Sequence, residues 1–569
     1  MKINQPLNKR YSYRLTTISC LLLCLWTVLG AIARFYNLDL KPASSIEIAT
    51  VGYSLGHGFN GIAIDRLVDL NVLLAPLRLD LSIGYREVFQ RLIEESTHPP
   101  LYFWLTRWWA SIWLKNGEIM SLQVARSLSA VLGIMAIPSI FALCWNAFRS
   151  LRVAHFAAIL MAFSPYGIYL AQEARHYTLT ILWVIASLAC LVEALRLIYQ
   201  NKAVPFWLGF AWIVVNGLGI ATHYFFVLAL GAEAIAVVIF WLTNRQQHIL
   251  KYLRSLVYIG LGTLATALVW LPLAMDVSGN EMTTWIATNY DLDELFLPLP
   301  RLLIWVITML MLLPVEGVSK SLAIVSGLII LAVFFSVLPV LFKQWRRAIA
   351  KYPTRTGTII FTGYLAGSLV IFLLLIYGMG KDISLAARYH FVYFPVLIAM
   401  VAVALANCQL QSFGKTPHNK VVAIMLVMLV LGSFTVVNNL GFQKSRRADA
   451  LAAYIQQTAT SSPLIAMTHQ THSEIRELVA LALSFERLNY PINTASNPRF
   501  TLVSDNQYGE DNLAINLKQA VAQQSQPLNL IGINLEIEDE RLKKLGCDRD
   551  QERNLSDSGY GDRFYFCNF

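Results

Sequence analysis

The sequence predicts a polytopic α-helical membrane protein of 11 to 13 transmembrane helices with a C-terminal extracytoplasmic α/β domain. Three observations carry this. The chain of 569 residues is 56% hydrophobic and only 14% charged, with a mean hydropathy of +0.52, far beyond what one water-exposed core absorbs. Long apolar runs separated by short polar joints recur from Leu15 to Val437, the pattern of helices of roughly 20 residues crossing a bilayer. Near Gly441 the composition changes to alternating helical and β-type segments, the signature of a soluble α/β fold.

The elements follow in order. MKINQPLNKRYSYR is basic and precedes the apolar run Leu15 to Ala33, so the chain is expected to begin in the cytoplasm and cross outward. Ala31 and Ala33 also give the A-x-A pattern of a signal-peptide cleavage site. With or without cleavage, the polar loop from 35 to 98 faces outward. It holds Glu47, Asp65, Asp69, Asp80, Glu87, Glu94, Glu95 and His98. Acid groups gathered beside a bilayer suggest proton transfer or metal binding.

Further apolar segments run at about 99–116, 126–148, 153–171, 177–199, 205–221, 223–243, 253–274, 301–314, 321–342, 358–379, 391–407 and 420–438, thirteen with the first. If all cross, Arg245, Lys251 and Arg254 lie outside, against the positive-inside rule. Leaving 99–116 and 301–314 in the interface gives eleven crossings. Both counts are odd, so residues 441–569 lie outside and 1–440 form the membrane domain.

The outer domain reads as a mainly parallel sheet with helices: ADALAAYIQQ, PLIAM, Ser473 to Glu486, FTLVSD, LAINLKQAVAQ, LNLIGINL, EDERLKKL and FYFCNF. It contains no G-x-G-x-x-G, hence no dinucleotide fingerprint. THQTH places His469 and His472 after a strand, where turn chemistry suffices without a metal. Cys20, Cys24, Cys144 and Cys190 lie in apolar spans as small hydrophobes. Cys547 and Cys567 are a candidate disulfide, which requires an oxidising compartment.

The formal charge of +10 does not point to nucleic acid. Its basic residues cluster in short joints such as KQWRRAIAKYPTR at 343–355, the positive-inside signal, and no basic stripe interleaves with stacking aromatics. The 14 Trp lie mostly near span ends, where aromatic belts form.

Charged residues at the edge of apolar spans are costly and are functional candidates by default. Four motifs combine Arg, His and Tyr: THPPLYFWLTR at 97–107, QEARHYTL at 172–179, THYFF at 222–226 and ARYHFVYFP at 387–395. With eleven crossings all four fall on the outer side. Arg175 and Arg388 suit a phosphate, because a guanidinium offers a charged fork to its oxygens. His98, Tyr177 and Tyr389 complete the candidate phosphate set, and Glu95, Glu173, His176, His223 and Tyr224 are candidates for lining a substrate cavity. His98 and His223 are also candidate ligands for a divalent metal, the one cofactor the residues suggest. The bland reading pairs Arg175 with Glu173 and makes each Tyr an interface anchor. Glu233, alone in LGAEAIA, reads first as hydrogen-bonded to a neighbouring helix.

These motifs resemble the GT-C membrane glycosyltransferases, in particular the protein O-mannosyltransferase-like family 39 group that includes the aminoarabinose transferase of lipid A. The resemblance covers residues 10–440 and rests on the outward first loop, HPPLYF, RSLSA at 126–130, QEARHY and ARY before a late span. It implies inverting transfer of a sugar from a polyprenyl-phosphate donor to a lipid, glycan or protein acceptor on the outer face of the cell (inner) membrane. It further implies an Asp-Glu pair in the first loop that takes the acceptor's proton. Here that stretch is KPASSIEIAT, so Ile46 stands in place of the Asp and Glu47 is the catalytic candidate. Neighbours on a helix point about 100° apart, so Glu47 does not automatically substitute. Asp65 and Asp69 are alternatives. Three readings stay open: an active transferase, a catalytically impaired homologue that binds a lipid-linked sugar, and a transporter or flippase for such lipids. The last would show paired half-sequences or broken spans, and no such symmetry is seen.

Overall fold

The computed structural model describes residues 9–244, 249–270, 272, 286–287, 290, 294–409, 417–458, 462–488, 498–504, 510–521, 528–551, 553 and 558–568. Arg245 and the first eight residues, used above for orientation, lie outside them. The chain divides into two compact units. The first comprises Met1–Leu38, Thr97–Tyr102 and Arg126–Phe442; the second comprises Asp39–Ser96, Phe103–Ala125 and Gln443–Phe569. The first loop therefore belongs to the second unit, not to the membrane unit that contiguous sequence suggests.

In the first unit the apolar runs become helices. Seven described helices are long and apolar enough to cross a membrane, or eight if a bent pair counts as one span. Four shorter apolar helices accompany them: Phe206–Thr222, Arg254–Leu268, Pro298–Thr308 and Phe394–Cys408. Leu21, Ile324, Leu328 and Phe434 stay more than half exposed, which a protein in water would not tolerate in such number and lipid satisfies. This is a membrane protein.

The run at 153–171 is not one straight span. Leu151–Phe163 and Pro165–Ala171 meet at 55°, because Pro165 cannot continue the preceding helix and restricts Ser164. The freed backbone groups find partners. Ser164 Oγ accepts from the Gly167 N–H at 3.1 Å and donates to the Met309 carbonyl at 2.7 Å. The buried Arg34 guanidinium donates to the Ala162 and Met161 carbonyls at 3.0 and 2.9 Å. Gln172 Nε2 donates to the Tyr36 carbonyl at 3.0 Å at the end of the Lys9–Phe35 helix. The break so fixed delivers QEARHY, which follows it directly.

The second unit is built on a six-stranded sheet: β1 (Val68–Asp69), β2 (Pro463–His469), β3 (Arg499–Ser504), β4 (Leu528–Ile533), β5 (Cys547–Asp550) and β6 (Asp562–Cys567), in spatial order β1-β3-β2-β4-β6-β5. Only β3, β2 and β4 run parallel; β1, β6 and β5 are added antiparallel. The sheet is therefore mixed, not mainly parallel. Only the central strands are joined by helical crossovers, through His472–Arg487 and Glu510–Val521, and a parallel neighbour requires such a connection. Edge strand β1 comes from the first loop, with Val68 opposite Phe500. Asp65 fixes this junction, accepting from the Ser504 N–H at 2.8 Å and its hydroxyl at 2.6 Å. Leu464, Ala466, Val503, Leu513, Leu517, Val521 and Leu530 pack one core face. Cys547 and Cys567 stand opposite each other in the β5–β6 register and are joined as a disulfide.

Candidate functional site

In the first unit the structure gathers residues from all four Arg-His-Tyr motifs. His98 precedes Pro99 and Pro100, after which the Leu101–Trp113 helix starts. Arg175 and His176 follow the 55° break and precede the Tyr177–Tyr199 helix. His223 ends the Phe206–Thr222 helix in extended conformation. Arg388 and Tyr389 lie on the 3-10 turn Ala387–Val392.

Their side chains meet. The Arg175 guanidinium donates to His98 Nε2 at 3.1 Å. The His176 ring centroid lies 5.4 Å from that of His98 and 4.4 Å from that of His223. Arg175 sits over the Tyr177 ring at 5.7 Å and Arg388 over the Tyr389 ring at 5.2 Å, positions in which the ring face stabilises the cation. Phe391 flanks Tyr177 and His223.

Hydrogen bonds fix the tautomers. His98 Nε2 accepts, so neutral His98 carries its proton on Nδ1. His223 Nδ1 accepts from the Phe225 N–H at 3.0 Å, leaving the proton on Nε2. Burial first, and then the charges of Arg175 and Arg388, push the His223 pKa down to about 3. Burial, followed by His223, Arg175, His98 and Arg388, holds His176 well below its ordinary value. Both imidazoles are therefore neutral at pH 7. His176 is fully buried, and neither ring nitrogen has a hydrogen-bond partner among the described residues. A buried orphan donor of this kind costs stability unless a ligand or water satisfies it.

Two guanidiniums in low dielectric attract an anion and repel a divalent cation. Among the described residues no group of three or more His, Cys, Asp or Glu is arranged to hold a metal ion.

Backbone anchors place the cluster, and the sequence reading overlooked several. Ser129 Oγ donates to the Arg175 carbonyl at 3.0 Å and shares a hydrogen bond with the Tyr102 hydroxyl at 2.7 Å. Tyr166 donates to the Ala387 carbonyl at 2.9 Å and Tyr364 to the Val392 carbonyl at 2.8 Å, clamping both ends of the Arg388 turn. The available signal was a Tyr inside an apolar run, whose hydroxyl needs a buried partner. Tyr224 is half-buried and Glu173 buried beside the motifs that carry them. Glu233 is buried on the Phe226–Asn244 helix, close to Ser187 and Trp212.

Glu47 and Glu95 belong to the second unit. Glu47 is fully buried on the Ser45–Ser54 helix. Its Oε2 accepts from the Ser44 N–H at 3.3 Å and the Ser44 hydroxyl at 3.2 Å, capping that helix. Ile46, beside it, is half-buried. Glu95 Oε2 accepts from the Phe59 N–H at 2.8 Å. Asp65 is committed to Ser504, and Asp69 lies 3.8 Å from Arg499 at the surface. His469 ends β2, and His472 opens a helix capped by Thr471.

No known family profile matches the chain, and no curated protein matches its sequence. Solved structures do match. The structure of ArnT from Cupriavidus metallidurans bound to undecaprenyl phosphate is 11% identical with a TM-score of 0.50, covering 95% of this chain and 97% of that one. Its apo state gives 12% identity, the same coverage and the same score. The Archaeoglobus fulgidus oligosaccharyltransferase tethered with an acceptor peptide is 11% identical over 96% of this chain and 74% of that one, with a TM-score of 0.46. At these identities a likeness speaks for architecture alone, and on that ground the chain has the GT-C fold of ArnT.

Proposed function

We propose that this protein is an inverting membrane glycosyltransferase that moves a sugar from a polyprenyl-phosphate donor to an acceptor on the outer face of the cell membrane. The observation that carries the reading is the buried cationic nest of Arg175, Arg388 and neutral His176, with both His176 nitrogens lacking a protein partner. A phosphate diester offers negative charge and acceptor oxygens to guanidinium and imidazole donors of this kind. ArnT, which shares the fold, has been solved with undecaprenyl phosphate.

In the reaction the acceptor hydroxyl attacks the anomeric carbon and its bond to the phosphate oxygen breaks with inversion. The acceptor proton passes to a carboxylate, assigned to Glu47, and the polyprenyl phosphate leaves with its charge met by Arg175 and Arg388. His223 Nε2–H and the Tyr177 and Tyr389 hydroxyls supply further donors. The outward location of this chemistry follows from the positive-inside reading, with the N-terminus cytoplasmic, residues 441–569 extracytoplasmic and the chain in the cell (inner) membrane.

One observation favours a second reading, that of a homologue which retains lipid-linked sugar without efficient turnover. Ile46 supplies no carboxylate, and Glu47 Oε2 is engaged by Ser44. The two separate in one experiment on protein reconstituted in vesicles with radiolabelled polyprenyl-phosphate sugar. A transferase labels the acceptor, and Glu47→Gln lowers the rate by about 10² or more while lipid is still retained. Retention with no transfer by the unaltered protein establishes the second reading. Lipid flipping without retention or transfer overturns both in favour of a transporter.

A further inference from the structure

At the end of the membrane unit far from the nest, the bundle carries a charged surface that sugar transfer does not use. Two helices run the whole interval. Ser129, bonded to the Arg175 carbonyl, lies near the start of Leu122–Phe148, and Tyr177 opens Tyr177–Tyr199. From Ser129 to Phe148, and from Tyr177 to Arg196, the axial rise is about 28 Å at about 1.5 Å per residue, close to the hydrocarbon thickness of a bilayer. Phe148 and Arg196 therefore reach the opposite membrane surface, the cytoplasmic one under the positive-inside reading. Three helix ends meet there. Arg196 donates to Asn146 Oδ1 and Glu193 Oε2, each at 2.7 Å, tying the second helix to the first. A Cβ at Gly357 would stand 2.6 Å from the Ala147 carbonyl oxygen, so the absence of a side chain lets Arg355–Leu373 start against the end of Leu122–Phe148. The corner at 149–152 is thereby set beside the corner at 351–355. Thr354 pins the latter, its hydroxyl donating to the Ala348 carbonyl at 3.0 Å.

Arg149, Arg152, Lys351 and Arg355 are exposed on these two corners. Across 149–152, 193–202 and 343–355 the single acid is Glu193, and it is taken by Arg196 at 2.7 Å and Arg149 at 3.9 Å. Among the described residues Arg152, Lys351 and Arg355 have no ion-pair partner. The positive-inside bias accounts for basic residues on this side, but it sets no condition that two basic corners be packed against each other. Like charges held together repel, and an anion between them removes that cost. Arg149 carries a further cost at φ +50°, a left-handed position after a helix that Gly or Asn ordinarily fills. Apolar surface lies one turn inward. Trp145 is 48% exposed and Phe342 50%, and the Arg149 guanidinium sits over the Trp145 ring at 5.9 Å. Tyr352, between the two cations of its corner, is 84% exposed. Cations at the membrane surface with exposed rings toward the hydrocarbon match a phospholipid, whose phosphate and chains are arranged in the same order. A soluble acidic protein would meet the cations alone. From this geometry we infer that the 149–152 and 351–355 corners bind the phosphate headgroup of an anionic glycerophospholipid in the leaflet opposite the nest, irrespective of whether the nest turns over a donor.

The test titrates the full chain in detergent with phosphatidylglycerol, cardiolipin and phosphatidylcholine of matched chains and counts retained lipid by native mass spectrometry. Both anionic lipids are expected to be held about tenfold more tightly than phosphatidylcholine, and less so as salt rises. Arg152→Gln and Lys351→Gln, both at exposed positions, are each expected to weaken that retention about fivefold, the share of one basic residue at a membrane surface, with unchanged thermal unfolding in phosphatidylcholine. Lys320→Gln, at the other end of the Lys320–Ala350 helix, removes the same charge and is expected to change nothing. Arg175→Ala, which empties the nest of charge, leaves the retention intact. A photoactivatable phosphatidylglycerol is expected to cross-link peptides holding 149–152 or 351–355 in the unaltered protein, a readout that depends on no variant. The assignment falls if phosphatidylcholine is retained equally, if Lys320→Gln weakens retention as much as Arg152→Gln, or if only Arg175→Ala abolishes it. It falls too if the cross-links map elsewhere, if glycerol phosphate at equal concentration displaces the lipid, or if polyglutamate does, which would give the corners to an acidic protein.

Discussion

The Arg175 guanidinium and His98 Nε2 are 3.1 Å apart although 77 residues separate them in sequence. His98 is fixed by the two prolines that start the next helix, and Arg175 by its carbonyl bond to Ser129. A neutral imidazole that accepts from the guanidinium orients it without adding an opposite charge of its own, which suits an anion site. Arg175→Ala should therefore reduce retention of polyprenyl phosphate by about 10²-fold, in keeping with about 1.5–3 kcal/mol for a charged hydrogen bond. Arg175→Lys should recover only part of this, since an ammonium lacks the planar fork. His98→Ala should cost about tenfold, because the charge remains but its orientation is lost. Binding of labelled lipid to purified protein measures all three.

The neutral histidines give a pH dependence with a definite sign. The folded-state pKa of His223 is depressed to about 3, against about 6.5 for an exposed imidazole. Below pH 6.5 the unfolded chain takes up a proton that the folded chain refuses, so stability is complete above 6.5 and falls as pH drops toward 3. His176 acts in the same sense. Thermal unfolding should weaken by up to about 1.4 kcal/mol per pH unit for each group, and His223→Gln should flatten the slope. Bound polyprenyl phosphate should flatten it too, because an anion offsets the field of the two arginines. An unchanged slope in His223→Gln would mean that other groups govern acid unfolding.

The apolar runs, the Arg-His-Tyr motifs and the start of the soluble region were legible because each breaks a local pattern: charge within hydrophobicity, or β-type runs after helices. Direction and distance were not legible. Residues 153–171 read as one span because hydropathy is blind to a bend, although Ser164-Pro165 was a punctuation signal. β1 has two residues and no alternation to detect, and its partner lies more than 400 positions away. Pairings of that kind are decided by tertiary packing. The tyrosines that clamp the Arg388 turn could be suspected individually, but their carbonyl partners depend on helix orientations that no sequence window contains.

Glu47 carries two roles that substitution can separate. Its carboxylate caps the Ser45–Ser54 helix through Ser44, and such caps contribute about 0.5–2 kcal/mol. Glu47→Ala should lower stability by about 1 kcal/mol as well as abolish transfer. Glu47→Gln keeps an acceptor oxygen for the cap, so it should unfold within about 0.5 kcal/mol of the parent while transfer is still lost. Loss of activity in both with loss of stability in one identifies the carboxylate as a base. Retained transfer in Glu47→Gln would confine Glu47 to capping.

Helix packing beneath the nest rests on two glycines that hydropathy alone passes over. Gly363 and Gly367, on the Arg355–Leu373 helix, lie one turn apart and face Phe226–Asn244. A Cβ at Gly363 would stand 3.0 Å from Ala236 Cα, and one at Gly367 would stand 3.1 Å from both Cα and the carbonyl oxygen of Ala232. The obstacles are backbone atoms, which cannot rotate away, and small residues at this spacing are what let membrane helices approach closely. Gly363→Leu must push the helices apart, at a cost of about 1–3 kcal/mol for overpacking. The displacement would also move Tyr364, whose hydroxyl holds the Val392 carbonyl at the end of the Arg388 turn. Gly363→Leu should therefore lose both thermal stability and lipid retention. Gly327→Leu is the control: nothing lies within 4 Å of its Cβ position, it sits on the Lys320–Ala350 helix, and it should lose neither. Equal stability of the two variants in detergent unfolding would show that the glycine pair is not what brings these helices together.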